Sequence, residues 1–276
     1  VTWVAENSLK AVLSTFVALN VTADSEGNWL ICGQSAVMAK SIDNTATWTK
    51  LGISLAKIAA SGTTWVGLGT SGFAARSADN GESWADLPRG LNTDSQTVVF
   101  YDAAANGNTW IVVGDTGYVS KSIDDGLTWV WQIQGLNSGS TTANFRSVQR
   151  SGNTWVVVAN AGWAARSTDN GATWAALPRG LNSGNTSANF NSVASNESTW
   201  VATATTGFAA RSTDDGATWT ALPQGLNSGS ASANFSSVAA NGSTWVAVST
   251  SGFAARSTDD GATWTALPQG LNSGFT

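Results

Sequence analysis

The chain has no histidine. That absence takes away the commonest general base, the usual proton shuttle and the commonest metal ligand together. There is one cysteine, Cys32, so no intrachain disulfide can form. It sits in the apolar run Trp29-Leu30-Ile31-Cys32, where inert burial is the expectation. Charged residues make up only 11% of the chain, with a formal charge of −5. Nucleic-acid binding would need Lys and Arg gathered on one face, and that footprint is missing. No apolar run reaches the length of a membrane span. Val1 opens no charged-then-apolar leader, so no targeting segment is expected in this sequence. There are only two tyrosines, Tyr101 and Tyr118, and four glutamates, Glu6, Glu26, Glu82 and Glu197.

What the chain does have is tryptophan, glycine and repetition. The octapeptide Ser257-Thr258-Asp259-Asp260-Gly261-Ala262-Thr263-Trp264 reads S-x-D-x-G-x-x-W and is written six times. The other copies start at Ser41, Ser77, Ser122, Ser167 and Ser212, with Thr45 in place of glycine in the first. From Ser77 onward the starts are 45 residues apart, and the first interval is 36. A period of this size marks a repeat architecture. One repeat holds four short apolar or alternating runs: Phe235 to Ala240, Thr244 to Val248, Phe253 to Ser257 and Thr263 to Leu267. Asn241-Gly242, Thr250-Ser251-Gly252 and the Asp-Asp-Gly of the octapeptide are the turns between them. Four strands per 45 residues predict one propeller blade, here labelled a to d from inner to outer. The fold expected is all-β, a six-bladed β-propeller of four-stranded antiparallel blades forming one domain over residues 1–276. The repeats end near Trp48, Trp84, Trp129, Trp174, Trp219 and Trp264. Thr2-Trp3-Val4-Ala5 reads as one further d-strand, so residues 1–6 are expected to latch a six-bladed ring, and seven blades are the alternative.

Tryptophan follows the same grammar. Trp29, Trp65, Trp110, Trp155, Trp200 and Trp245 recur in strand b, and six more close the octapeptides. Packing between blades explains them. The aspartates Asp43, Asp79, Asp124, Asp169, Asp214 and Asp259 are expected to build the c–d turn, since Ser and Asp side chains bind turn backbone and Gly supplies positive φ.

The octapeptides resemble the Asp-box, or bacterial neuraminidase repeat, found in sialidases, sortilin-type receptors, some glycoside hydrolases and photosystem II assembly-factor propellers. The resemblance covers almost the whole chain. It implies a propeller in which the box is a folding element away from the ligand face, and it implies no particular activity. A sialidase also needs an arginine triad, a tyrosine–glutamate pair and a Phe/Tyr-Arg-Ile-Pro segment, and that segment is absent. The chain repeats like groups instead of pairing two unlike carboxylates, so no enzyme, metal or cofactor is expected.

Candidate binding groups come from the long d-to-a connections and the b–c turns, which share one face of a propeller. Asn137, Asn182 and Asn227 stand at one fixed place in the connections and offer amides to a ligand. Phe73, Tyr118, Trp163, Phe208 and Phe253 start strand c, and Trp163 and Tyr118 carry a polar handle suited to stacking on sugars. Trp131 breaks the pattern, standing where other blades have Ala176, Ala221 or Ala266. Lys40, Arg76, Lys121, Arg166, Arg211 and Arg256 precede the boxes and are expected to pair with a box aspartate such as Asp260. The function expected is multivalent binding of surface glycans or a glycoprotein, as a lectin, adhesin or phage receptor-binding module outside the cell or on a virion. Protein-interaction scaffold, like the photosystem II assembly propellers, is the alternative, and structural subunit of a larger assembly a third.

Overall fold

A computed structural model describes residues 18–23, 27–33, 38–42, 47–92 and 98–269. It shows a six-bladed β-propeller: among the described residues there are six four-stranded sheets, each antiparallel. In the first blade the strands are β1 (Ala18–Ala23), β2 (Trp29–Gly33), β3 (Met38–Ser41) and β4 (Thr49–Leu51). The second holds β5 (Lys57–Ser61) to β8 (Ala85–Asp86), and the third β9 (Phe100–Asn106), β10 (Thr109–Gly114), β11 (Val119–Ser122) and β12 (Val130–Trp131). The fourth runs from β13 (Phe145–Ser151) to β16 (Ala175–Ala176), the fifth from β17 (Phe190–Asn196) to β20 (Thr220–Ala221), and the sixth from β21 (Phe235–Asn241) to β24 (Thr265–Ala266). Asp43, Trp3 and the latch expected at 1–6 lie outside the described residues.

The outer strand is shorter than the sequence suggests, two residues in the last five blades. Its two ends are claimed by other bonds. The Thr263 N–H donates to Asp259 Oδ1 inside the turn, and Pro268, two residues past β24, has no N–H to give.

The chain divides into two compact units, Val1–Val112 with Ser120–Trp131, and Val113–Val119 with Gln132–Thr276. In the first unit, Leu30, Cys32 and Met38 of the first blade pack with Leu55, Ile58 and Trp65 of the second. Burial pushes the Cys32 thiol up to about 12, with Lys57 opposing weakly, so it is inert at neutral pH. In the second unit, Val156 and Val158 of the fourth blade meet Phe190, Trp200 and Trp219 of the fifth. Ala194 and Val201 of the fifth in turn meet Phe235, Trp245 and Trp264 of the sixth. Each core is therefore shared by two consecutive blades. Trp65, Trp110, Trp155, Trp200 and Trp245 are all completely buried in strand b. Their alternation partners on the opposite sheet face fill the core on the other side, which is why strand b is buried at every position in β14 and β18.

Candidate functional site

The c–d turns of the second to sixth blades share one hydrogen-bond grammar around their Ser and Asp. In the second blade the Ser77 hydroxyl donates to Asp79 Oδ1 and accepts from the Gly81 N–H. Asp79 also accepts from the Ser83 N–H and hydroxyl, and the Trp84 indole donates to the Gly81 carbonyl. Asp124, Asp169, Asp214 and Asp259 repeat the carboxylate's bonds with Thr128, Thr173, Thr218 and Thr263, and the indole bond recurs at Trp129, Trp219 and Trp264 but not at Trp174. The hydroxyl and amide of Ser83 hold the Asp79 carboxyl down at about 2, and the Thr128 hydroxyl does the same for Asp124. These carboxylates are ionised and fully engaged within their own turns. A general acid needs a carboxyl shifted the other way.

The turn is also a clamp on the preceding blade. A Cβ added at Gly216 would lie 2.9 Å from the Val156 side chain, and one at Gly261 would lie 3.0 Å from Val201. Both glycines are at positive φ, so the residue is needed twice over, for the turn and for the close approach. Arg76, Arg166 and Arg211, each just before a box, reach forward to the next blade's box, 49 residues on, instead of to their own. Arg76 Nε donates to the Asp125 carbonyl at 2.7 Å and its Nη2 pairs with Asp125 Oδ2 at 2.9 Å. Arg166 makes the same backbone bond to Asp215, and Arg211 to Asp260. Thr64 and Thr154 donate to the Asp125 and Asp215 carboxylates from the same side. Where the next box carries Asn80, the residue is Lys40, which pairs with Glu82 Oε1 at 2.5 Å while itself 5% exposed.

The connection residues are used in the same way. Asn137, Asn182 and Asn227 donate from Nδ2 to the carbonyls of Trp174, Trp219 and Trp264, each in the following blade. At the b–c turns, the Ala161 N–H donates to Asn189 Oδ1 and the Thr206 N–H to Asn234 Oδ1, again across to the next blade. Gln134, Arg179 and Gln224 cap the carbonyls of Thr116, Ala161 and Thr206 within their own blades. The amides that looked available to a ligand thus tie blades together, because a side chain that satisfies a neighbour's backbone avoids a buried unpaired carbonyl.

The aromatic ring at the start of strand c divides. Tyr118 is buried, 5% exposed, and is not among the side chains offered to solvent. Phe208 and Phe253 pack on the shared cores. Trp163 is half-buried, and the exposed Arg179 guanidinium lies over its ring at 4.4 Å, a cation–π geometry. Gly139 also lies against that ring: a Cβ there would come within 2.5 Å of it. Arg179 was not legible as part of this platform, since three other blades carry Gln134, Gln224 and Gln269 at its place. Trp131 is 53% exposed on the outer strand β12, and Ile123, Leu127 and Val130, which the repeat pattern did not single out, are exposed as well. A cavity of about 310 Å³ lined by Arg166, Ser167, Thr173, Trp174, Ala176 and Ala217 lies along the outer side of the fourth blade. Several of its polar groups are already taken, since Ser167 and Thr173 donate to Asp169 and Arg166 to Asp215, whereas the buried Trp174 indole N–H has no hydrogen-bond partner. Among the described residues no three His, Cys, Asp or Glu side chains are grouped to hold a metal ion.

No protein-family model and no curated protein matches this sequence. Solved structures do match. A structure of YCF48 bound to D1 peptide has a TM-score of 0.69 at 18% identity, covering 94% of this chain and 83% of that one. YCF48 from Cyanidioschyzon merolae has a TM-score of 0.68 at 15% identity, covering 92% and 85%. The GH74 enzyme of Niastella koreensis has a TM-score of 0.54 at 19% identity, and this chain spans 36% of its length. At these identities the likeness establishes the fold: the chain is similar to the propellers of YCF48 and GH74 proteins in its blades.

Proposed function

We propose that this chain is a non-catalytic propeller that binds protein, an interaction or assembly scaffold whose octapeptides are Asp-boxes. The observation that carries this reading is the use made of the repeated polar groups. The box aspartates are taken up inside their own turns, and the arginines before the boxes and the connection asparagines bind the next blade, so the ring of equivalent amides that a multivalent lectin would offer is committed internally. Recognition then falls to surfaces that differ from blade to blade, as a single protein partner requires and a repeated sugar does not. The likeness to YCF48, one structure of which is bound to D1 peptide, supports a peptide ligand for the same scaffold. In this reading Trp163 and Arg179 form the contact platform of the fourth blade: a rigid aromatic face and a planar cation are the residue types that anchor protein interfaces.

The test is selection of a random-peptide phage library on the folded propeller, run beside a glycan array. Peptide binding that weakens at least tenfold on converting the platform to its fifth-blade form, Trp163→Phe with Arg179→Gln, is the expected result. Sugar binding without peptide binding would return the lectin reading.

A further inference from the structure

Four large apolar side chains stand out to solvent on the outermost hairpin of the third sheet, Ile123 and Leu127 in the β11–β12 turn and Val130 and Trp131 on β12, exposed by 70%, 59%, 65% and 53%. The scaffold needs none of them. At the same places the fifth blade has Thr213, Ala217, Thr220 and Ala221, and the sixth has Thr258, Ala262, Thr265 and Ala266. The second blade puts Asp86 where the third has Trp131, a charge of the kind that blunts an edge.

The edge has a definite form. β12 is the last strand of its sheet, with Val130 opposite Lys121 and Trp131 opposite Ser120 on β11. Consecutive residues of a strand point to opposite faces, so Val130 and Trp131 flank the edge on both sides. A strand laid alongside meets apolar side chains on each face, which is the contact that stabilises neighbouring strands.

We infer that this edge is a self-association surface whose occupant is a second copy of this chain, packed about a two-fold axis with β12 beside its symmetry mate. Area and charge both favour that occupant. The four side chains offer roughly 500 Å² of apolar surface, the size of the largest patch on an ordinary monomer and often a functional one, and burying it on both copies removes about 1,000 Å², the lower bound for a specific interface. A two-fold contact requires the patch to complement itself, which a neutral apolar patch does and a charged one does not. Each copy carries a net charge of −5, so approach is least opposed where the surface is uncharged. The nearby carboxylates are already occupied: Asp124 accepts from Ser122 and Thr128, and Asp125 pairs with Arg76.

Sedimentation velocity over a concentration series tests this directly. The unaltered chain is expected to shift from monomer to dimer as concentration rises toward about 200 μM, a weak pair in keeping with an interface at the small end. The fourfold variant Ile123→Thr, Leu127→Ala, Val130→Thr, Trp131→Ala borrows residues that sister blades already carry, so it folds. It is expected to raise the dissociation constant at least tenfold, with an unchanged circular dichroism spectrum. A chain that stays monomeric throughout, or a variant that dimerises as well as the parent, overturns the inference. Binding of this edge only to a different protein does so too.

Discussion

The c–d turn and the outer edge of the third blade lie within ten residues of each other in the chain, yet they follow opposite rules. In the turn, the Ser, Asp and Gly of the second to sixth boxes recur because hydroxyl, carboxylate and backbone bond one another there, and the arginine just before the turn bonds the next blade. At the edge, the third blade departs from its sisters at Leu127, Val130 and Trp131, while Ile123 is matched by the exposed Ile42 of the first blade, and none of these side chains is buried. Repetition in this protein marks what packing demands. Departure from repetition marks what packing leaves free, and that is where recognition can be written.

The contrast can be broken most sharply at its buried side. Trp200 is fully buried in the core shared by the fourth and fifth blades. Trp200→Ala is expected to cost about 3–5 kcal/mol in urea unfolding; a loss under about 1 kcal/mol would mean the strand-b tryptophans do not hold the blades. Next comes Gly225, at φ 73°, where a Cβ would sit 2.1 Å from the Ser230 carbonyl oxygen. Gly225→Ala should lower stability by roughly 2–3 kcal/mol, since both the left-handed backbone and the clash with a carbonyl oppose it. A melting temperature equal to the parent's would count against that reading of the connection.

Acid should act on the turn and not on the edge. Asp79 and Asp124 hold their carboxyls at about 2, through the Ser83 and Thr128 hydroxyls first. A group depressed in the folded state contributes stability that is fully present above the ordinary carboxylate range and is lost as pH falls through the folded value. The melting temperature should therefore drop between about pH 4 and pH 2, and Asp79→Asn should make that drop shallower. The smallest effect is expected at Trp131→Ala, within about 0.5 kcal/mol of the parent in the monomer. A loss above about 1 kcal/mol there would show that the edge is structural after all.

Much of this was legible beforehand, and the limits have physical causes. Six octapeptides and four apolar runs per repeat gave the blades and their strand order, because turn chemistry and period-two alternation are local signals. The partner of Arg211 was not legible: Asp215 lies 4 residues on and Asp260 lies 49 residues on, in equivalent boxes, and only geometry distinguishes them. Nor was the fate of Asn182, since an amide that binds a ligand and one that binds a neighbouring carbonyl look identical in sequence. Ile123 and Leu127 escaped for the reverse reason, as apolar residues are expected inside and these stand out.

The forward reach of the basic residues gives the array a grammar of succession. Arg76, Arg166 and Arg211 are each followed by a box bearing aspartate at the receiving place, whereas Lys40 is followed by Asn80. Each repeat thus carries a plug at one end and a socket at the other, and the two come in matched kinds. A duplication that copies one whole period inherits both halves and can be inserted beside its parent without redesign, which is how an array of near-identical units could lengthen. A shuffled order would seat plugs in the wrong sockets, so the sequence of blades is itself a constraint on how such a gene can rearrange.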